Sequence, residues 1–163
     1  MVGVICGIDM IKYMEGNIFD STADILVNPV NCRGVMGGGL ALEFKKRYPE
    51  MNAEYELACR AGAVKVGSPW FWYNLYRVDD GKHVLCFPTK DHWRDPSELS
   101  YIEDGLGVMV RNAKSLKYIR LTSYAFPKLG CGLGGLEWQV VKVVMETYLE
   151  SLVDYGFEVE VWI

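Results

Sequence analysis

The sequence predicts an α/β protein in which a mixed sheet carries helices on both faces. Two observations support this fold class. Strand-like runs alternate with amphipathic segments along the 163 residues, as in sheets covered by helices. Two glycine-rich segments, 31–39 and 128–135, each follow a strand-like run and precede a predicted helix. Half of the residues are hydrophobic, so the chain is long and apolar enough to bury a substantial core.

Apolar periodicity, together with glycine and proline as stop signals, defines the predicted elements. In the amino-terminal half, we expect strands over 9–15 and 23–28, a helix over 40–48 stopped by Pro49, and a second helix over 52–61. In the carboxyl-terminal half, we expect strands over 70–77 and 83–88 joined by a turn at 79–82, a helix over 100–116, a strand over 118–124, a helix over 136–155 and a last strand over 157–162.

Composition restricts the function classes. The formal net charge of −4 at pH 7 argues against nonspecific binding of duplex nucleic acid by the whole surface. The five cysteines are odd in number and include no C-x-x-C, which favours free thiols in a reducing compartment. With neither a signal-peptide pattern nor an apolar run of membrane-spanning length, we expect a cytoplasmic protein without membrane contact. The two histidines lack metal-ligand spacing, so no metal site is expected.

The two glycine-rich segments have the form of anion-binding sites. Glycine permits close backbone approach, and a helix start offers free N–H groups with a partial positive charge. Two such loops favour a ligand with more than one phosphate. Gly130, Gly132 and Gly135 fit G-x-G-x-x-G, but a Rossmann fingerprint opens its domain and here only one strand follows. A purely structural turn is the other interpretation of this segment.

Two asparagines close the second predicted strand. Asn31 is placed to hydrogen-bond a ribose hydroxyl beside the first glycine loop. Asn28 is better explained as a residue that holds the turn through its own side chain.

Several blocks of the chain together resemble the macrodomain family. They are Gly16-Asn17-Ile18-Phe19, Ala23 to Asn31 (ADILVNPVN), Gly34 to Ala41 (GVMGGGLA), and Pro127 to Trp138 (PKLGCGLGGLEW). The segments Phe87 to Arg94 (FPTKDHWR) and Leu99 to Leu106 are similar to the branch that contains DarG-type DNA ADP-ribosyl glycohydrolase antitoxins. The resemblance implies a single macrodomain over 1–163, with a three-layer α/β/α architecture and a central mixed sheet.

The resemblance also implies a cleft for ADP-ribose and an N-glycosidic reaction on an ADP-ribosylated DNA base. Lys90 corresponds to the family's catalytic lysine and Asn31 to its distal-ribose asparagine. No cofactor is implied. The residues expected to contact ADP-ribose are Asn17, Ile18, Asn31, Gly37, Gly38, Gly39, Leu40, Thr89, Leu129, Gly130, Cys131, Gly132, Leu133 and Gly134.

Two chemical roles are open to Lys90. As an ammonium it would stabilise or protonate the leaving group, and as a neutral amine it would attack the anomeric carbon of an opened ribose. A solvated surface lysine is the alternative interpretation without the surrounding block.

Three positions depart from the family pattern. Asn17 stands where many macrodomains carry an aspartate that contacts adenine, which puts adenine selectivity in question. Gly134 stands where the terminal ADP-ribose glycohydrolases carry a catalytic aspartate, which argues against their chemistry on protein carboxylates. Gly38 replaces a lysine common in DarG-type proteins.

The expected partners are ADP-ribose, ADP-ribosylated single-stranded DNA and a DNA ADP-ribosyltransferase toxin. The candidate DNA contacts are Arg33, His92, Trp93 and Arg94, because cationic and aromatic side chains bind single strands by charge and stacking. Two alternatives remain from the sequence: a reader that binds ADP-ribose without turnover, and a hydrolase of small or protein-linked ADP-ribose derivatives.

Overall fold

The computed structural model describes residues 10–77 and 79–163, and in these residues six strands form one mixed sheet. The strand order is β1-β6-β5-β2-β4-β3, and only the β3–β4 pair is antiparallel. The strands are β1 (Lys12–Met14), β2 (Ile25–Val30), β3 (Trp70–Trp72), β4 (His83–Pro88), β5 (Ser123–Phe126) and β6 (Glu158–Trp162). The helices are α1 (Gly39–Arg47), α2 (Pro49–Arg60), α3 (Leu99–Tyr118) and α4 (Trp138–Asp154), and a 3-10 helix spans Ile18–Asp20.

Helices cover both faces of the sheet. Apolar side chains of α3 and α4, among them Ile102 and Leu149, form one core with one face of the strands. Phe44 of α1 and Tyr55 of α2 form a second core with the other face. Two separate buried clusters on the two faces of one sheet define the expected three-layer α/β/α architecture.

The sheet is open between β2 and β5 at its carboxyl edge. β2 pairs with β4 along its whole length, from Ile25 to Val30. With β5, however, it pairs only at Ile25 and Leu26. The chain leaves β2 toward β4 and leaves β5 toward β6, so the strand order reverses here, and such switch points form the binding crevices of α/β sheets.

Most predicted elements are confirmed, with shifted ends. The strand over 83–88 agrees with β4, and Asp9, the first residue of the predicted strand over 9–15, lies outside the described residues. Pro49 stops the first helix as predicted, but the predicted start of the second helix at residue 52 is wrong, because α2 begins at Pro49, where the missing N–H costs nothing.

Three further boundaries were wrong for local reasons. β3 ends at Trp72 instead of continuing to residue 77, and the N–H of Asn74 donates to His83 Nδ1 at 2.9 Å. Tyr118, the first residue of the strand predicted over 118–124, is instead the last residue of α3. A hydrogen bond from Leu121 N to Leu116 O closes this end of the helix. α4 begins two residues after Leu136, because the N–H of Leu136 closes the preceding loop onto Gly130 O at 2.9 Å.

One glycine sets how closely α3 packs on β4. A Cβ built on Gly105 would lie 2.4 Å from Cζ of Phe87, a fully buried ring of β4. At Gly107, two residues further along α3, the nearest atom would be Arg111 Nη1 at 3.4 Å. Only glycine therefore fits at Gly105, whereas Gly107 has room for a methyl group.

We expect Gly105→Ala to lower the free energy of unfolding by about 1–3 kcal/mol, because the added methyl overpacks the core. Gly107→Ala in the same helix is the matched control, and it should be neutral or stabilising, since alanine is the better helix former. Urea denaturation of both variants measures the difference. Equal stability of the two would contradict the packing described for α3.

Candidate functional site

Five chain segments meet at the carboxyl edge of the sheet because each follows the end of a parallel strand. They are residues 15–18 after β1, 31–38 after β2, 89–98 after β4, 127–137 after β5 and the end of β6 at Trp162. All the site residues expected from the sequence lie on these segments or on the first turn of α1. The parallel topology therefore brings the expected site together.

The first glycine loop leads directly into the amino terminus of α1. Gly38 is extended at the N-cap position and makes no side-chain capping bond, and Gly39 begins the helix with φ +56°. Gly37 precedes them and is exposed, and Leu40 stands in the first turn. An uncapped helix start carries N–H groups suited to an anion.

The Asn31 side chain is built into this loop. It is only 7% exposed, and its Oδ1 accepts hydrogen bonds from Arg33 N at 2.9 Å and from the Tyr55 hydroxyl at 3.1 Å. Its Nδ2 donates to Val35 O at 2.7 Å. Burial raises the pKa of Tyr55, so its hydroxyl remains a donor at neutral pH. Asn31 thus shapes the loop, and its role in holding ribose stays a prediction.

Asn28 does not hold a turn, and that prediction is wrong. It lies within β2 with its side chain fully buried. Nδ2 contacts Met36 Sδ at 3.6 Å and Cys86 Sγ at 4.0 Å, while Oδ1 has no hydrogen-bond partner. The strand continues to Val30, which places this amide inside the sheet layer instead of in the turn.

The second glycine loop is fixed from behind by Ser97. The N–H of Ser97 donates to Gly134 O at 3.0 Å. A Cβ on Gly134 would lie 2.1 Å from Ser97 Oγ and 2.5 Å from Gly130 O. Position 134 therefore has no room for any side chain in this loop conformation. The sequence has no aspartate at this position, and the loop would leave no space for one.

The other residues of the second loop differ in what they expose. Leu129 is fully buried in the core under α3, so only its backbone can face a ligand. Gly130 is buried with φ +73°, and Cys131 is half-buried with its thiol directed to Leu129 O. Gly132 has open space around it, and Leu133 is 76% exposed.

Leu133 joins three of the segments. A Cβ on Gly38 or on Gly39 would lie 3.3 Å from Leu133 Cδ1, so the second loop touches the first. Lys90 Nζ donates to the carbonyl of Leu133 at 3.2 Å. Lys90, the expected catalytic lysine, therefore contacts the second glycine loop, and the second loop contacts the first.

The segment after β4 is tied to the first loop beside Lys90. Thr89 is buried, and its N–H donates to Val30 O at 3.0 Å. The N–H of Cys32 donates to Asp91 O at 2.9 Å, and Asp91 also pairs with Arg33 at 3.0 Å. Burial raises the pKa of the Cys32 thiol to about 11, which keeps it protonated at neutral pH and argues against a nucleophilic role.

The remaining candidate DNA contacts form one exposed cluster next to Lys90. Trp93 is 45% exposed, and the Arg94 guanidinium lies 4.6 Å from its ring centroid. The His92 ring lies 5.2 Å from the same indole, and His92 Nδ1 accepts the Arg94 N–H at 3.1 Å. The cluster presents an aromatic surface and a positive charge on the segment that carries Lys90.

A cavity of about 390 Å³ continues the site past α1. Leu40, Ile18, Asn17, Gly16, Pro127 and Trp162 line it. Trp162 Nε1 donates to Glu160 Oε2 at 2.9 Å, which fixes the indole as an apolar wall. The site residues expected from the sequence did not include Gly16, Pro127 or Trp162. Their positions directly at or after the ends of predicted parallel strands were the available signal.

Two structural absences hold for residues 10–77 and 79–163. No helix in this part of the chain combines the length and apolar character needed to cross a bilayer. Nor do three or more His, Cys, Asp or Glu side chains group there in a way that could hold a metal ion.

Comparison with known proteins places this geometry in a family. The Macro domain family matches residues 27–145, and the chain belongs to the macrodomain family. It is 44% identical over 145 residues to the DNA ADP-ribosyl glycohydrolase of Mycobacterium tuberculosis, an alignment that covers 89% of this chain and 40% of that protein.

Two solved structures support the same placement. The macrodomain of Mycobacterium tuberculosis DarG is 41% identical with a TM-score of 0.80, covering 94% of this chain and 97% of that one. Thermosipho africanus DarTG in complex with ADP-ribose is 33% identical with a TM-score of 0.82, covering 93% of this chain and 41% of that one. The chain spans about 40% of the length of the curated DNA ADP-ribosyl glycohydrolases from Mycobacterium and Thermus aquaticus that it matches.

Because the Asn31 amide hydrogen-bonds Arg33 and Val35 in the loop and Tyr55 on α2, we expect Asn31→Ala to lower the free energy of unfolding by about 1–3 kcal/mol. The measurement is urea denaturation without ligand. The exposed Asn112 on α3 provides a matched control, since Asn112→Ala removes a similar amide from the surface. An Asn31→Ala protein as stable as the wild type would show that the side chain has no part in shaping the loop.

Proposed function

We propose that this chain is an ADP-ribose-binding glycohydrolase that removes ADP-ribose from DNA bases. The observation that carries the proposal is the meeting of Lys90 with both glycine loops at Leu133. The similarity to DNA ADP-ribosyl glycohydrolases supports the choice of substrate.

The geometry supports one placement of ADP-ribose. The adenine ring enters the cavity between Leu40 and Trp162, and the diphosphate lies between Gly37–Gly39 and the second loop. The N–H groups at the start of α1 face the negative charge, as helix amino termini do in other phosphate sites. The distal ribose then extends toward Asn31 and Lys90.

The reaction breaks the bond between the anomeric carbon of the distal ribose and a nitrogen of the DNA base. Water supplies a hydroxyl to that carbon and a proton to the base nitrogen, so the products are ADP-ribose and unmodified DNA. Negative charge is transferred to the base as the bond breaks, and an ammonium placed beside it stabilises that charge.

Two routes are available to Lys90. As an acid, it protonates the departing base nitrogen and is reprotonated from water. As a nucleophile, its neutral amine adds to the anomeric carbon of the opened ribose, the DNA base leaves with a proton on its nitrogen, and water hydrolyses the resulting imine to release ADP-ribose and the lysine. Borohydride reduces an imine to a stable amine, so trapping separates these routes.

The DNA strand is expected to leave the site past the cluster of His92, Trp93 and Arg94. Trp93 offers a ring for an unpaired base, and Arg94 together with Arg33 offers positive charge to the backbone. Base stacking on aromatic side chains contributes about 1–3 kcal/mol per base in single-strand binders. This arrangement favours single-stranded over duplex substrate.

We propose that residues 1–163 form a single macrodomain that acts in the cytoplasm. Its partner would be a DNA ADP-ribosyltransferase toxin, whose modification the enzyme reverses. The second loop supports DNA over protein carboxylates as the target, because Gly134 leaves no space for an acid in this loop conformation.

We expect Lys90→Ala to lower the rate of ADP-ribose release from a single-stranded oligonucleotide by at least about 100-fold, the usual loss for an acid or nucleophile. The measurement is a single-turnover gel assay on DNA that carries one ADP-ribose. Lys46→Ala is the matched control, since it removes the same charge from an exposed position on α1.

Retained hydrolysis by the Lys90 variant would contradict its catalytic role. If neither protein releases ADP-ribose while both bind it in calorimetry, the chain is a reader of ADP-ribose and not a DNA glycohydrolase. Borohydride added during turnover should trap a DNA-free protein adduct at Lys90 only on the nucleophilic route.

A further inference from the structure

A second cavity, of about 310 Å³, lies at the amino edge of the sheet, opposite the candidate functional site. Three segments form its walls: residues 22–24 at the start of β2, the β3–β4 connection together with His83, and residues 119–121 between α3 and β5. Because β2, β4 and β5 are parallel neighbours, the segments that precede them meet at this edge. The lining includes none of the residues assigned above to ADP-ribose or DNA.

The lining carries three cationic side chains and two carboxylates, on a chain whose net charge is −4. They are Arg77, Lys82, Arg120, Asp24 and Asp80. Both arginines are exposed, and within residues 10–77 and 79–163 neither guanidinium forms an ion pair. The two guanidinium groups are therefore available to a ligand.

The other three charged groups are already held by the fold. The Asp24 carboxylate accepts the N–H of Thr122 at 2.9 Å, and the Asp80 carboxylate accepts the N–H of Lys82 at 3.0 Å. The Lys82 ammonium donates to Ala23 O at 3.2 Å. These groups shape the walls of the cavity, and the arginines are the charged groups left to bind something within it.

His83 supplies a third donor from the buried side of the cavity. It is only 2% exposed, and its Nδ1 accepts the N–H of Asn74 at 2.9 Å. Burial, together with the charge of Arg77, lowers the pKa of His83, so the ring is neutral at neutral pH. A neutral ring whose Nδ1 accepts a hydrogen bond carries its hydrogen on Nε2. Among the described residues Nε2 has no hydrogen-bond partner, so this N–H is also available in the cavity.

The two arginines have an unfavourable backbone conformation. The described chain has three non-glycine residues with positive φ: Arg77 at +53°, Asp79 at +56° and Arg120 at +62°. The left-handed region costs conformational energy for any residue with a Cβ, and residues held there concentrate at ligand sites. Arg120 directly follows the C-cap of α3, where glycine is the usual residue. An arginine at such a position is expected if its guanidinium binds a ligand.

We infer that Arg77, Arg120 and His83 form a second ligand site, which binds one phosphate group. Guanidinium groups present paired N–H donors that match phosphate oxygens. A tetrahedral phosphate also offers oxygens to donors from three directions, whereas a carboxylate offers two oxygens in one plane. Free nucleotides and the DNA backbone both carry this group, and the test distinguishes them. The site lies outside the proposed active site, so it does not depend on the proposed function.

The test follows the imidazole NMR signals of the two histidines during titration with inorganic phosphate at constant pH and ionic strength. His83 reports the second site, and His92, on the segment that carries Lys90, reports the opposite edge of the sheet. Arg120→Gln removes one guanidinium from the cavity. Arg111→Gln is the matched control, since it removes the same charge from an exposed position on α3 outside the cavity. Acetate in place of phosphate controls for a general effect of anions.

We expect phosphate to shift the His83 signal saturably. Arg120→Gln should raise the dissociation constant about 10-fold, as the loss of one charge-assisted hydrogen bond does, and Arg111→Gln should leave it unchanged. A His83 signal that does not move, that acetate moves equally, or that gives equal constants for the wild type and Arg120→Gln would overturn the inference and leave the proposed function intact.

Two further ligands identify the source of the phosphate. Thymidine monophosphate carries a monoester, and an oligothymidylate without terminal phosphates carries only diesters. A shift of the His83 signal by either ligand supports the inference and shows which kind of phosphate the site takes. A shift by neither would overturn it.

Discussion

The incomplete pairing of β2 with β5 is the constraint on which the rest of the site depends. The two strands are hydrogen-bonded only at Ile25 and Leu26, and beyond these residues β2 continues to Val30 beside β4 alone. Since the flanking strands are parallel, the loops that follow them emerge at this opening. Strand order and register therefore bring together the glycine loops, the Lys90 segment and the Trp162 cavity. The individual side chains then decide what the opening binds.

Small residues let the loops approach one another closely. Because Gly38 and Gly39 have no side chains, the Leu133 side chain can pack against them. Gly134 likewise leaves space for Ser97 behind the second loop. The contact of Lys90 with the Leu133 carbonyl places its ammonium against the second loop, at the residue whose side chain packs beside the first loop. The chemistry of the site consequently depends on backbone groups and one amine, in agreement with a ligand that carries a diphosphate and a reactive ribose carbon.

Much of the fold could be predicted from the sequence because its signals are local. The alternation of apolar runs predicted β4 and α3 closely, and the glycine loops indicated the edge at which the site lies. Tertiary contacts decided what was missed. Asn28 and Asn31 are both amides near the end of one strand, yet one is buried against sulfur atoms and the other shapes the loop. Trp162 lies in the last strand, far from the glycine motifs in sequence, and the parallel β1–β6 pairing, in which it lies opposite Met14, brings it to the cavity beside Asn17.

The most direct test of the central claim is a crystal structure of the protein with ADP-ribose. We expect the base to lie against Trp162, the diphosphate between Gly37–Gly39 and residues 130–135, and the anomeric hydroxyl within hydrogen-bonding distance of Lys90 Nζ. ADP-ribose bound outside the opening between β2 and β5, or bound there with its distal ribose directed away from Lys90, would contradict the account.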